Sequence, residues 1–122
     1  MEKDSATIRS SKPVCRHERD GLFVRFQDVY LLLPYADILH VEASGSYCHI
    51  YTRDRSKITV AHRLNLLERR LPATHFVRVH HSFILNLFEI TKFVGNTVYI
   101  GNRDYPVGRK YREQFLALLN IL

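Results

Sequence analysis

The stretch Phe76-Val77-Arg78-Val79-His80-His81-Ser82-Phe83-Ile84-Leu85-Asn86 constrains this chain more than any other. Two short runs of Val, Ile and Phe suit a pleated, half-buried surface. Between them stands a polar joint of two imidazoles and a hydroxyl. The segment reads as two short strand-like runs joined by an exposed polar tripeptide. Alternation from Val77 and Val79 puts Arg78 and His80 on the opposite side from the valines and leaves His81 as the more exposed imidazole.

The same texture extends through most of the chain. Leu22–Phe26 and Val29–Leu33 flank Gln27-Asp28, and Pro34 interrupts. Ile38–Ala43 and Tyr47–Thr52 flank Ser44-Gly45-Ser46. The second of these alternates with period two, which places Tyr47, His49 and Tyr51 on one face and Cys48, Ile50 and Thr52 on the other. Arg53-Asp54-Arg55-Ser56 reads as a charged hairpin tip before Lys57–Val60. Strand runs at Glu89–Val94, Thr97–Ile100 and Arg103–Val107 are punctuated by Gly95-Asn96 and Gly101-Asn102, both tight-turn signals. Two amphipathic helices complete the pattern. Leu64, Leu67 and Leu71 recur at helical spacing over about Arg63 to Leu71, where Pro72 stops the run. From about Arg109, Tyr111, Phe115, Leu118, Leu119 and Leu122 form a second stripe. The expectation is a mainly β domain (α+β in a minor sense) with a short internal helix and a C-terminal helix.

Residues 1–20 are polar, with few large apolar groups, and are expected to be a flexible N-terminal tail ahead of a domain over 21–122. That opening has no apolar core of a secretory signal, and no run reaches the length of a membrane span, so the expected location is the cytoplasm. Cys15 and Cys48 match no metal-ligand spacing. Cys48, in register with Ile50, is expected to be a small buried hydrophobe. The 122 residues are enough for one domain with a real core.

Net charge is +6, and residues 36–122 carry most of it, with twelve Lys/Arg against seven Asp/Glu. A basic folded part suits a polyanionic partner. Three places could meet one. His81 and Ser82 occupy the polar joint. Ser46 and Tyr47, with His49, follow a glycine turn that can approach a phosphate backbone closely because Gly45 adds no bulk. Arg109-Lys110-Tyr111-Arg112 puts cations at a helix start, where they oppose the macrodipole at roughly 0.3–1 kcal/mol each. An unfavourable local choice of that kind hints at function. An arginine there can pair bidentately with guanine. Seven histidines are scattered without a His-Glu-x-x-His or finger spacing, so neither a metal nor any other cofactor is expected. No nucleophile elbow, phosphate loop or carboxylate dyad suggests an enzyme or a small-molecule substrate.

Taken in order, four segments resemble the LytTR DNA-binding domain of bacterial response regulators. Asp37–Tyr47 is similar to "D-I-x-Y-I-E-A-x-x-N-Y". The Leu64-Leu67-Leu71 helix follows. Phe76–Asn86 is similar to "F-x-R-V-H-R-S-Y-I-V-N", and Tyr105–Tyr111 to "I-P-V-S-R-x-Y". The resemblance covers about residues 22–122 and implies an elongated sandwich of antiparallel strands. It implies a cytoplasmic transcription regulator of the two-component type, whose loops enter successive major grooves of double-stranded DNA at paired direct repeats. A second copy could sit side by side on such an operator. Base contacts carried over fall on Tyr47, His49, His81 and Arg109. Backbone contacts are expected from Ser46, Arg53, Arg55, Lys57, Ser82, Lys110 and Arg112.

Two departures carry expectations of their own. His81 stands where the pattern has Arg, and histidine carries little charge near neutral pH. Altered base preference and tighter binding at mildly acid pH follow, and equal affinity at pH 6 and pH 8 would count against this. Gly108 replaces a Ser, removing a capping hydroxyl. The usual receiver domain and its phosphorylatable aspartate have no counterpart here, which suggests a stand-alone regulator or part of a longer one. The competing readings are a protein–protein module that kept the fold without specific DNA binding, and a metal-dependent enzyme using the histidines.

Overall fold

The structure, a computed structural model, describes residues 21–54 and 56–122. The tail expected over residues 1–20, with Cys15, and the backbone contact expected from Arg55 lie outside the described residues. Among the described residues ten strands run β1 Gly21–Phe26, β2 Val29–Pro34, β3 Ile38–Ser44, β4 Tyr47–Thr52, β5 Lys57–Val60, β6 Phe76–His80, β7 Phe83–Asn86, β8 Lys92–Val94, β9 Thr97–Ile100 and β10 Arg103–Pro106. The helices are α1, Leu64–Arg70, and α2, Arg109–Ala117.

All pairing is antiparallel, in three sheets. A β1–β2 hairpin stands alone, a five-stranded sheet has the order β5-β4-β3-β7-β6, and a three-stranded sheet has the order β10-β9-β8. The large sheet is the middle layer because its strands are apolar on both faces. On β7, Ile84 joins a core with Val24, Leu33, Val41, Ile50 and the α1 leucines, while Leu85 joins a second core with Val77, Val98, Tyr105 and Phe115. Burying Leu64, Leu67 and Leu71 on the first core contributes roughly 1.5–3 kcal/mol per side chain.

The alternation of β4 is as the sequence suggests: Cys48, Ile50 and Thr52 are buried, and Tyr47, His49 and Tyr51 are not. The Cys48 thiol is free. Gly95 and Gly101 close their hairpins at positive φ.

Two expectations need correction. The run Glu89–Val94 is a strand only from Lys92, because a 3-10 turn at Leu87–Glu89 precedes it. The Asn86 side chain accepts from the Phe88 amide and caps that turn, while its amide group donates to the carbonyls of Tyr35 and Ile38. The stripe on α2 is shorter than its spacing implies. The helix ends at Ala117, so Phe115 is buried but Leu118 and Leu122 are exposed. Arg78 lies opposite the valines, as the alternation suggests, and because α1 covers that side the arginine is buried.

Candidate nucleic-acid interface

Register places the three suspected segments at one end of the middle sheet. β3 pairs with β4 from Ser44–Tyr47 inward, and with β7 from Glu42–Phe83 inward. The β3–β4 turn and the 80–82 turn are therefore neighbours, tied by the Ala43 amide donating to the Ser82 carbonyl at 2.9 Å. The start of α2 joins them. The Gly108 amide donates to the Val79 carbonyl at 2.7 Å. A Cβ on Gly108 would lie 3.7 Å from the His80 ring, an ordinary contact, and 3.3 Å from the Tyr111 side chain of its own helix, so the helix start lies within van der Waals reach of the turn.

Each segment presents exposed polar groups. Gly45 turns the chain at φ +61°, with open space around it, which leaves Ser46 and Tyr47 outward. His49, half-buried, shares a 2.8 Å hydrogen bond through Nδ1 with the Thr59 hydroxyl. His81, Arg109 and Lys110 are exposed.

Within the 80–82 turn the two imidazoles have different roles. A register shift around Val79 brings His80 beside Phe83. Its Nδ1 accepts from the Ser82 amide at 3.1 Å, so that nitrogen carries no proton in this geometry. Burial, with help from His81 and Arg78 nearby, holds its pKa below the usual histidine value. His80 is thus a neutral fastener of the turn, and its ring lies 4.2 Å, centroid to centroid, from that of exposed His81.

Sequence reasoning missed the group that holds the turn. The Arg78 guanidinium donates to the carbonyl of His80 (2.8 Å) and to that of His81 (2.6 Å). Its Nη1 donates to Glu68 (2.7 Å) and Asn65 (3.0 Å) on α1. One buried cation thereby anchors the 80–82 turn to α1. No local signal marks it, since its partners lie 10 and 13 residues earlier in the chain.

Other expected contacts lie elsewhere. Arg53 and Lys57 sit at the opposite end of β4, since Tyr51 pairs with Lys57. The six residues of β4 span roughly 20 Å at strand rise. Arg53 is also occupied, pairing with Glu89 and donating to the Ala36 carbonyl. Arg112 donates to the Gly95 carbonyl and the Asn96 side chain, tying α2 to the β8–β9 turn. Among the described residues no three His, Cys, Asp or Glu side chains gather as a metal site. Nor is any described helix long and apolar enough to cross a membrane.

Residues 28–120 match the family model of the LytTr DNA-binding domain. The chain belongs to that family. LytTr domains bind DNA and are not enzymes, which closes the enzymatic alternative. The sensory transduction protein LytT of Bacillus subtilis is 32% identical over 91 residues, covering 70% of this chain and 37% of that protein. The transcriptional regulatory protein YpdB of Escherichia coli K12 is 29% identical over 113 residues, covering 85% of this chain and 45% of that protein. The chain thus spans less than half the length of these relatives. The solved LytTr DNA-binding domain of a putative methyl-accepting/DNA response regulator from Bacillus cereus superposes with a TM-score of 0.70 at 23% identity, covering 84% of this chain and 99% of that one. The LytTr fold is accordingly that of the three antiparallel sheets and two helices described above.

Proposed function

We propose that this LytTr domain is the DNA-reading part of a transcription regulator and that the sheet end formed by residues 44–47, 80–82 and 108–110 enters the major groove. The supporting observation is the convergence of those segments around a turn pre-set by Arg78. Tyr47, His49, His81 and Arg109 are assigned to base edges, and Ser46, Ser82 and Lys110 to phosphates. Arg53 and Lys57 lie outside this cluster, and Arg112, one helical turn after Arg109, is engaged by the β8–β9 turn. Arg109 is the strongest reader because its guanidinium is exposed and can engage guanine bidentately. Paired direct repeats would seat two copies side by side, with no contact between copies required.

Mobility shifts test the division of roles. Arg109→Ala should lose roughly 1–3 kcal/mol on a specific duplex and discriminate less against altered sites, whereas Lys110→Ala should weaken specific and random duplexes alike and lower the salt slope by about 1. Lys57→Ala should leave both affinities within about twofold, being near the other end of the sheet. Equal losses for Arg109→Ala on specific and random DNA would remove its base-reading role. A loss for Lys57→Ala as large as for Lys110→Ala would mean that the wrong end has been assigned.

A further inference from the structure

The β1–β2 hairpin does not look like a surface made for water. Its cross-strand pairs Phe23–Leu32 and Arg25–Tyr30 share one face, the face opposite buried Val24 and Leu33. On that outer face Phe23 is 55%, Tyr30 65% and Leu32 44% exposed. At the tip Phe26 and Val29 are more than half exposed as well. Among the described residues neither strand pairs with anything but the other. An isolated two-stranded sheet is marginal in water, and a contiguous apolar patch of this kind marks an interaction surface.

Beneath the hairpin runs an open groove of about 680 Å³, between β1, the end of β5 and α1. Leu22, Val60 and Leu67 contribute to its apolar lining, and Arg25 and Arg70 supply cationic groups. Among the described residues neither Arg25 nor Arg70 meets a carboxylate; Arg25 donates only to the Gln27 carbonyl of its own turn. Asp28 is the hairpin's single acidic residue.

We propose that the hairpin and this groove bind an acidic segment of a partner protein that carries large apolar side chains. The apolar residues would meet Phe23, Tyr30 and Leu32, and the carboxylates would meet Arg25 and Arg70. Aromatic and arginine side chains together are the composition enriched at protein–protein interfaces, and the charges select the partner's sign. DNA fits less well: phosphates satisfy the arginines but give the exposed apolar rings nothing. A second copy of a chain with net charge +6 brings further positive charge to the same rim.

Panning a displayed library of random peptides against the full chain tests this. The expected result is enrichment of peptides that combine Asp or Glu with large apolar residues. Their binding should fall at least about tenfold both in the double variant R25E/R70E and in Tyr30→Ser, two changes that remove opposite halves of the match. Specific DNA affinity should be unchanged in both. These side chains are exposed, and circular dichroism melts are the check that each variant is folded. Failure to enrich any motif overturns the proposal, as does enrichment that survives both variants. If R25E/R70E weakens DNA binding as Arg109→Ala does, the rim belongs to the DNA surface. If sedimentation shows a dimer that Tyr30→Ser abolishes, the occupant is a second copy.

Discussion

Arg78→Met should destabilise the domain by about 3 kcal/mol, since hydrogen bonds from a charged donor contribute roughly 1.5–3 kcal/mol each and two turn carbonyls lose theirs at once. Methionine retains much of the buried stem, so the loss is polar rather than a cavity. For a domain of this size the melting temperature falls by roughly 10–20 °C. The functional effect is separable from this. At a temperature where the variant is folded, specific DNA affinity should still drop about tenfold or more, because His81 must then be ordered on binding instead of beforehand. The affected atoms are the carbonyls of His80 and His81. Glu68→Gln is the control. Glu68 is 45% exposed, so loss of that partner should cost only about 1 kcal/mol or less and leave the turn bonds in place. Equal DNA affinity for Arg78→Met and the parent protein, both folded, would show that the anchor is structural only.

The second large effect is a dependence of stability on pH that comes from His40. This residue is buried between the large sheet and β10, stacked on Tyr51 with ring centroids 4.4 Å apart. Its Nδ1 shares a 2.7 Å hydrogen bond with the Tyr105 hydroxyl, and its Nε2 lies 3.6 Å from Glu42. Burial first, and the Arg103 charge second, push its pKa down to about 4, while the same burial pushes the Tyr105 hydroxyl up to about 12. The phenol therefore donates to a neutral imidazole throughout the ordinary pH range. In the unfolded chain histidine titrates near 6.5, so between about pH 6.5 and 4 the unfolded state binds the extra proton and stability falls with falling pH. The integrated loss is roughly 3 kcal/mol at one pKa unit per 1.4 kcal/mol. His80, also held below its usual value, adds to the slope in the same direction. Urea melts at pH 7.5, 6 and 5 should show the decline, and His40→Gln should flatten most of it. The shifted carboxylate Asp54, held down to about 2 by its Thr52 and Ser56 hydrogen bonds, titrates below this window. Stability that is flat from pH 7.5 to 5 would contradict the buried neutral histidine.

What was legible in the sequence followed from period. The β4 alternation gave Cys48, Ile50 and Thr52 their burial, and the leucine spacing gave α1 its packing face. The three polar segments were visible because turn residues and charges stood where apolar periodicity broke. What was illegible depended on partners distant in sequence. Arg78 read as one side of an alternating strand, and only α1 shows that side to be buried. His40 read as a strand residue; its phenol partner lies 65 positions later. It stands where the family pattern quoted above has Tyr, so this pH response follows from the residue this chain places there. Arg53 and Arg112 looked like free cations because a basic side chain carries no sign of whether the fold will supply it a carboxylate or a carbonyl.

Selection from random duplexes, followed by mobility shifts of the recovered DNA at two salt concentrations, tests whether one end of the middle sheet reads a DNA sequence. Recovery of a repeated motif is predicted, bound far more tightly than random duplex and weakening steeply as salt rises through counterion release. Salt-sensitive binding with no recovered motif would contradict the base-reading roles of His81 and Arg109, and absence of binding at either salt would contradict the DNA-reading function itself.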